Sequence, residues 1–186
     1  MGHSSFQILT ILVKWEKTKM DKTQSELKPF PVTMQMVTEA HKKVKTKGKA
    51  CGVDEVSMKE FEQKLKGNLY KIWNRLASGT YFPPAVREVE IPKKDGKMRK
   101  LGIPTVGDRI AQTVVKDYME ASIDELFHDD SYGYRPMKSA HQALTKARTN
   151  VRKYDWVIDM DIKGFFDNID HELILKALDK VVEEKW

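Results

Sequence analysis

The fold is decided by a stretch that alternates apolar residues with carboxylates and then turns at a glycine, Trp156-Val157-Ile158-Asp159-Met160-Asp161-Ile162-Lys163-Gly164-Phe165-Phe166-Asp167-Asn168-Ile169-Asp170. The alternation predicts a strand over 156–161 with one apolar face and one face that carries Asp159 and Asp161. Hard cations such as Mg²⁺ take oxygen ligands and are held by one or two carboxylates, so the end of this strand is a candidate metal site. A buried strand whose acids solvate its end has the same spacing, and the stretch alone does not separate the two interpretations.

The composition is that of a globular chain with a heavily charged surface. Of the 186 residues, 40% are hydrophobic and 32% are charged, which is enough for one ordinary domain or slightly more. The single cysteine, Cys51, excludes an internal disulfide and fits a reducing compartment. The apolar run over residues 6–13 is too short to span a bilayer, so we expect no membrane contact.

The charges occur in blocks of one sign within a net charge of +6. Residues 14–49 contain ten lysines and four acids, and residues 135–153 contain six bases and no acids. In contrast, residues 117–130 contain six acids and no lysine or arginine, and residues 155–172 contain six acids and one lysine. Such blocks fit a protein that grips a phosphate backbone and keeps a separate acidic pocket for metal. Any one block alone is also typical of a solvated face.

A helix with a basic end is predicted over residues 32–44. Its apolar residues recur at helical spacing, and residues 42–49 contain five lysines around Gly48. Cations in the last turn are favourable against the helix dipole and suited to phosphate contact, and the glycine marks the stop. Lys43, Lys45 and Lys47 are therefore candidate RNA contacts.

Two further helices are predicted from their first residues. Ser57 and Glu60 form a capping box before an apolar stripe that continues to a stop at Gly79. This stripe is core and not a ligand site. Thr105 and Asp108 open the other helix, which ends in acids, and its apolar positions are Ile110, Val114, Tyr118 and Leu126.

A basic β-hairpin is predicted around Asp95-Gly96, because that dipeptide stands between two alternating runs. Val89 and Ile91 form one apolar face, and Leu101 and Ile103 form its match. The tip is crowded with cations, Lys93, Lys94, Lys97, Arg99 and Lys100. Such a tip is commonly a solvated surface without a function. A hairpin that binds phosphate groups would also need these cations, because Arg binds phosphate in bidentate fashion and Lys acts as a point charge.

A loop over residues 127–136 is rich in aromatics, glycine and arginine. Tyr134 and Arg135 can stack bases and hold phosphate there. An ordered turn packed by its tyrosines explains the pattern equally well. Ser139 then caps a basic helix, and Asp170 caps the last helix of the chain.

Four blocks of the sequence, in order, resemble the group II intron reverse transcriptases, the maturase family. They are Gly52-Val53-Asp54, residues 90–105, residues 127–136, and residues 156–170, which end in Asp-Ile-Lys-Gly-Phe-Phe-Asp-Asn-Ile-Asp. The resemblance runs from residue 32 to residue 186 and leaves the first twenty residues uncovered.

The resemblance implies an α+β fold, the fingers and the beginning of the palm of a right-hand polymerase, helix-rich with a basic β-hairpin and truncated. The resemblance implies fingers over 32–153 and the first part of the palm over 154–186. The residues before them, 1–31, are expected from their polar, lysine-rich composition to be a poorly ordered N-terminal extension. The implied activity is RNA-directed DNA synthesis, with help to intron splicing and mobility in complete proteins, in a bacterial cytoplasm and associated with RNA. Because later palm blocks, thumb and maturase domain do not follow, we expect an N-terminal fragment that is inactive alone and prone to self-association. The alternative is a non-catalytic module that binds intron RNA.

The resemblance also assigns a metal site. It implies that Asp161 is the catalytic carboxylate that binds both Mg²⁺ ions of the complete enzyme, with the Ile162 carbonyl as a further ligand. In this chain alone we expect weak or absent metal binding.

The nucleotide and RNA contacts follow in the same way. Lys93 and Arg99 are implied contacts of the dNTP triphosphate, Phe166 of the incoming sugar, and Arg87 of template or nucleotide. Tyr134 and Arg135 are implied to order the template and fingers, so the expected partners are intron RNA, template RNA, primer DNA and dNTP.

Overall fold

The computed structural model describes residues 31–48, 50–92, 96 and 98–182. These residues form two compact units, of which the first contains the described residues up to Tyr118 together with Val182 and the second runs Met119–Val181. Residues 1–30 of the extension that was expected to be poorly ordered, and the candidate Lys93, lie outside the described residues.

Three helices build much of the first unit, and side-chain caps set two of their starts. They are α1 (Met34–Lys47), α2 (Met58–Gln63) and α3 (Leu65–Ala77). The Thr33 hydroxyl accepts a hydrogen bond from the Met36 N–H at 3.2 Å. The Ser57 hydroxyl accepts the Glu60 N–H at 3.3 Å, and the Glu60 carboxylate accepts the Ser57 N–H at 2.7 Å. Each cap satisfies donors that a helix start leaves unpaired, so the basic helix and the capping box are confirmed.

The single helix predicted between Ser57 and Gly79 is wrong in one respect, because it is divided at Lys64. That residue has φ −118° and ψ 38°, outside helical values. The Asn68 side-chain amide donates to the Phe61 carbonyl at 2.9 Å. In an unbroken helix that carbonyl would accept the N–H four residues later, so a side chain takes the place of a backbone donor at the break.

The predicted stop of α3 at Gly79 is confirmed. Gly79 has φ 67°, a left-handed conformation that glycine adopts without a Cβ clash. Its N–H donates to the Leu76 carbonyl at 3.2 Å, and the Thr80 N–H donates to the Arg75 carbonyl at 2.9 Å. These two bonds form a Schellman ending and satisfy carbonyls that the last turn leaves free.

Strands β1 (Arg87–Pro92) and β2 (Met98–Ile103) form the predicted antiparallel hairpin. Val89 stands opposite Leu101 in the register, so the apolar residues predicted to match lie on one face. Gly96 in the connecting loop has φ 79°, again in the left-handed region.

Helix α4 (Val106–Asp124) starts, as predicted, at a Thr105 hydroxyl that accepts the Asp108 N–H at 3.1 Å. Leu126 was predicted to belong to this helix, but it lies beyond the helix end and is exposed. The helix stops because the N–H groups of Leu126 and Phe127 turn back to carbonyls three residues earlier.

The first unit has an apolar core formed by α1, α2, α3 and the start of α4. The Trp73 indole N–H donates to the Val32 carbonyl at 2.9 Å and so ties α3 to the residues before α1. The buried apolar residues are Val32, Val37, Ala40, Val44, Phe61, Leu69, Ile72, Leu76, Val106, Ile110, Ala111 and Val114. Burying one such Leu, Ile or Val side chain is worth about 1.5–3 kcal/mol.

The second unit contains three helices beyond the end of α4, which are α5 (Ala140–Val151), α6 (Phe165–Asn168) and α7 (His171–Leu178). Ser139 caps α5 through the Gln142 N–H, and Asp170 caps α7 by accepting the Glu172 N–H at 2.8 Å, as predicted. No residue between 119 and 181 is buried. Caps and loop contacts therefore carry more of the local order here than they do in the first unit.

The strand predicted over 156–161 is wrong, because these residues form no β-ladder. Trp156, Ile158 and Met160 are 89%, 81% and 86% exposed. A strand needs a neighbour for its N–H and C=O groups, and within the described residues the only sheet is the pair β1–β2. The alternation therefore identified a segment with the pattern of a strand, but it could not identify a neighbouring strand with which the segment would pair.

The described elements are helices with one small antiparallel sheet, an α+β composition. None of the helices in the described part of the chain has the length and apolar character that a bilayer span requires.

Candidate nucleic-acid interface

Two of the three candidate lysines at the end of α1 already have carboxylate partners. Lys43 Nζ lies 2.8 Å from the Asp117 carboxylate, and Lys45 Nζ lies 2.8 Å from the Glu62 carboxylate. The Lys45 ammonium lowers the pKa of Glu62. The lysine side chains stay 54% and 56% exposed, and surface pairs of this kind are weak. A phosphate can therefore compete for both lysines, while Lys47 is exposed at the last residue of the helix.

The two candidate arginines of the hairpin lie on the same face. Arg87 stands opposite Ile103 and Arg99 opposite Ile91, which places both on the apolar face. The two levels are four residues apart, about 13 Å along the strands. Arg99 is exposed, whereas the Nε of Arg87 is buried with no hydrogen-bond partner in the described part of the chain. The exposed Arg99 near the tip is thus the more accessible of the two cations.

The other face of the hairpin carries a separate ion pair. Lys100 Nζ lies 2.9 Å from the Glu88 carboxylate. The hydrogen bond to this carboxylate raises the pKa of Lys100. This lysine is thereby drawn along the strand and away from the face that carries Arg99.

A buried arginine fastens the segment after α1 to the start of α4. Arg109 is 8% exposed, and its Nη2 donates to the Ala50 carbonyl at 2.8 Å. Gly52 packs directly on Thr105, since a Cβ at Gly52 would lie 2.5 Å from the Thr105 Cα. The Gly52-Val53-Asp54 block is therefore held against the residue that links β2 to α4.

In the second unit, Arg135 is bound to an acid and Tyr134 is left open. The Arg135 Nε donates to Asp124 Oδ1 at 2.7 Å, and its Nη2 donates to Asp124 Oδ2 at 3.3 Å. This hydrogen-bonded pair lowers the pKa of Asp124 and raises that of Arg135. The Tyr134 side chain is 69% exposed. The loop therefore presents an aromatic ring to solvent, while the Arg135 guanidinium is bonded to Asp124.

Asp161, Ile162 and Phe166 lie in one exposed part of the chain. Asp161 and Ile162 precede a turn at Gly164, which has φ 64° and leads into α6. A side chain at Gly164 would be strained, and its Cβ would also lie 2.8 Å from the Asn168 amide nitrogen. Phe166 is half-buried and packs edge-on against Phe165, with ring centroids 5.3 Å apart. The turn thus sets the spacing between the candidate metal carboxylate and the candidate sugar contact.

The residues described here do not by themselves fit a pair of magnesium ions. Two-metal sites need several oxygen ligands around the ions. No group of three or more His, Cys, Asp or Glu that could hold a metal occurs among the described residues. Asp161 is exposed in a segment that joins no sheet, so it stands as one candidate ligand.

Two residues with a clear role in holding these segments were not identified from the sequence. Asp124 is the partner of Arg135, and Arg109 holds Ala50. Separations of 11 and 59 residues leave no periodic signal. Only the acid block 117–130 ahead of the basic block 135–153 suggested that pairing was available.

Comparison with known proteins shows similarity to reverse transcriptases and to group II intron-encoded proteins. Residues 91–186 match the family described as reverse transcriptase (RNA-dependent DNA polymerase). The chain is 39% identical over 124 residues to the group II intron-encoded protein LtrA of Lactococcus lactis subsp. cremoris, an alignment that covers 66% of this chain and 20% of LtrA. It is 36% identical over 138 residues to protein YkfC of Escherichia coli (strain K12), covering 72% of this chain and 36% of YkfC.

A third relative is a plant protein, nuclear intron maturase 1 (mitochondrial) of Arabidopsis thaliana. It is 27% identical over 93 residues, which covers 48% of this chain and 13% of the maturase. The chain thus spans a fifth of the length of LtrA and about a third of YkfC. It belongs to the reverse transcriptase family and, within it, to the group II intron reverse transcriptases and maturases.

Proposed function

We propose that this chain supplies the fingers and first palm segment of an RNA-directed DNA polymerase that acts on intron RNA, and that by itself it binds RNA without synthesising DNA. The observation that carries the proposal is the family match over residues 91–186, which contains Arg99, the Tyr134–Arg135 loop and Asp161 in order. We also propose the division into fingers over 32–153 and first palm segment over 154–186.

In the fingers, Arg99 and Lys93 contact the triphosphate of the incoming nucleotide. The exposure of Arg99 near the hairpin tip supports this role. A guanidinium binds phosphate oxygens in bidentate fashion and offsets charge that develops as the phosphoryl group is transferred. Arg87 lies at the base of the same face and contacts template or nucleotide.

In the palm, Asp161 and the Ile162 carbonyl contribute ligands, and Phe166 lies against the sugar. Reverse transcriptases generally use Mg²⁺, and a two-metal centre needs more carboxylates than this one. Among the described residues, no other acid joins Asp161 in a group of three, which supports the proposal that residues 1–186 do not polymerise alone. The exposed apolar face of residues 156–161 supports the same conclusion, since a palm strand requires a neighbouring strand. The same uncovered face favours self-association of the chain.

The second candidate function is RNA binding without chemistry, and the lysine-rich end of α1 supports it. Lys43, Lys45 and Lys47 lie on the last turns of one helix, with ammonium groups that solvent reaches. Lysines act as point charges on phosphate, and each contact releases counterions from the RNA. Both functions coexist if the chain binds template and lacks the full metal centre.

A salt titration of RNA binding tests the proposal. The change is the triple variant Lys43→Gln, Lys45→Gln, Lys47→Gln. The control replaces three exposed lysines in α2, at the break after it and in the first turn of α3, Lys59→Gln, Lys64→Gln, Lys66→Gln. Both variants lose three charges, so net charge alone affects them equally. We expect the slope of log Kd against log salt for single-stranded RNA to fall by about 2 in the first variant, at about 0.7 per phosphate contact, and to change little in the control.

Two results would contradict the proposal. Equal slopes for the two triple variants would remove the end of α1 from the interface. A wild-type chain with no measurable RNA affinity at low salt would exclude both candidate functions for residues 1–186.

A further inference from the structure

Tyr134, in the loop over residues 127–136, and Met137, directly after that loop, adopt a backbone conformation that side chains disfavour. Tyr134 has φ 58° and Met137 has φ 57°. Left-handed backbone brings Cβ too close to the next carbonyl in any residue but glycine, and such strain persists only where the surroundings impose it. Both side chains point into solvent, with exposures of 69% for Tyr134 and 95% for Met137. Burial of these side chains therefore does not explain the strained backbone.

Arg135, which follows Tyr134, supplies the restraint. A guanidinium has five N–H donors, and each donor of Arg135 has a partner within the loop or at the end of α4. Besides the two bonds to the Asp124 carboxylate, Nη1 donates to the carbonyls of His128 at 2.8 Å and Ser131 at 3.1 Å. Nη2 also donates to the Asp124 carbonyl at 3.0 Å. The Arg135 side chain is 9% exposed and lies 5.5 Å from the centroid of the Phe127 ring.

This saturation conflicts with a direct role for Arg135 in phosphate binding. A phosphate would have to displace a carboxylate or a backbone carbonyl from a side chain that solvent hardly reaches. Displacing them would also release the loop from the end of α4, because three of the five bonds go to the carboxylate and the backbone carbonyl of Asp124. The neighbouring ring of Tyr134 needs no such rearrangement to be contacted.

We infer that Arg135 is a positioning residue, with Asp124 as its anchor, and that it holds Tyr134 and Met137 outward as a platform on which an unpaired RNA base stacks. This rests on the proposed function, since it assumes that the chain binds RNA. The ligand is RNA because residues 138–153, which follow the loop, contain five bases besides Arg135 and no acids. Stacking on an aromatic face accepts any base, while the cations alongside hold the backbone.

The decisive variant is Asp124→Asn, for which the two interpretations give opposite signs. If Arg135 binds phosphate, removing the acid beside it frees the guanidinium and adds a positive charge, so RNA affinity rises. If Arg135 positions the platform, the same change loosens the loop, and affinity for single-stranded RNA falls about tenfold. The matched control is Asp130→Asn, which removes the same charge from the exposed Asp130–Lys146 pair, 3.0 Å long, in the same loop.

Fluorescence anisotropy with a labelled single-stranded RNA, at several salt concentrations, gives the affinity and its salt slope. We expect Asp124→Asn to lose about tenfold in affinity at an unchanged slope, and Asp130→Asn to bind as well as wild type or slightly better. Tyr134→Ala should lose the same factor, and the double variant with Asp124→Asn should lose no more than either single variant, because both changes remove one platform.

A second variant guards against simple unfolding of the loop. Tyr134→Gly removes the ring but relieves the left-handed strain, so the helical circular dichroism should persist while RNA affinity falls as in Tyr134→Ala. A wild type that binds RNA, with Asp124→Asn and Tyr134→Gly binding as tightly, would overturn this inference alone and leave the aromatic platform to a protein partner. A wild type that does not bind RNA would overturn the proposed function and this inference together.

Discussion

Replacing Gly52 by alanine places a methyl group where the segment after α1 meets the backbone at the start of α4. The new Cβ would lie 2.5 Å from the Thr105 Cα, 2.6 Å from the Thr105 nitrogen and 3.0 Å from the Pro104 carbonyl carbon. Non-bonded carbons pack at about 3.5–4.0 Å, so the two backbones must separate by about 1 Å. The atoms in the way are backbone atoms, which cannot rotate aside as a side chain does.

We expect Gly52→Ala to lower the free energy of unfolding by about 3 kcal/mol, the upper end for overpacking in a well-packed region. The separation also weakens the Arg109–Ala50 hydrogen bond, which closes the same segment on α4. Urea denaturation followed by far-UV circular dichroism measures the change. The control is Gly67→Ala in α3, where a Cβ meets nothing within 4 Å and where alanine should stabilise the helix by about 0.5–1 kcal/mol. A Gly52→Ala protein within about 0.5 kcal/mol of wild type would refute the packing argument.

Three other perturbations test separate parts of the structure. Leu76→Ala removes a core side chain that is 2% exposed and should cost about 2–5 kcal/mol in the same urea assay, and a loss below about 1 kcal/mol would mean that this core is not closely packed. Tyr81→Phe removes the hydroxyl that donates to the Asp108 carboxylate at 3.0 Å. Burial already raises the pKa of Asp108, so losing this donor should lower the free energy of unfolding by about 1–3 kcal/mol at neutral pH. The loss should be smaller in acid, where the carboxyl is protonated. The Arg135 guanidinium holds the pKa of Asp124 below its ordinary value of about 3.9, so this pair stabilises the fold fully above that pH and the gain is lost as pH falls through the lowered pKa. Melting curves across the acid range should show that Asp124→Asn flattens this part of the acid dependence. Identical acid limbs for Asp124→Asn and wild type would contradict the pairing.

Local sequence signals predicted the elements whose stabilising contacts lie within a few residues. The caps at Ser57, Ser139 and Asp170 and the stop at Gly79 each depend on hydrogen bonds to residues two to five positions away. Such contacts are visible as spacing in the sequence. The hairpin likewise followed from Asp-Gly between two alternating runs.

The features that the sequence did not predict depend on hydrogen-bond partners or neighbouring strands that residue spacing does not identify. The break at Lys64 depends on the amide of Asn68 reaching back seven residues to Phe61, within a stripe that otherwise reads as one helix. The stretch 156–161 alternates as a strand does, but alternation specifies faces and not the neighbouring strand that a ladder needs. For the same reason the sequence suggested Arg135 as a ligand and did not show that its donors bond to Asp124 at the end of α4 and to carbonyls of the loop.

We propose that residues 1–186 bind a template and contribute Asp161 but do not polymerise alone. Primer extension on an RNA template with an annealed DNA primer, dNTPs and Mg²⁺ tests it most directly, with wild type and Asp161→Asn compared and template–primer binding measured in the same samples. We expect both proteins to bind the template–primer with equal affinity and neither to extend the primer. Extension by wild type that Asp161→Asn abolishes would contradict it, because the chain would then hold a complete metal centre, and failure of both proteins to bind would contradict the interface.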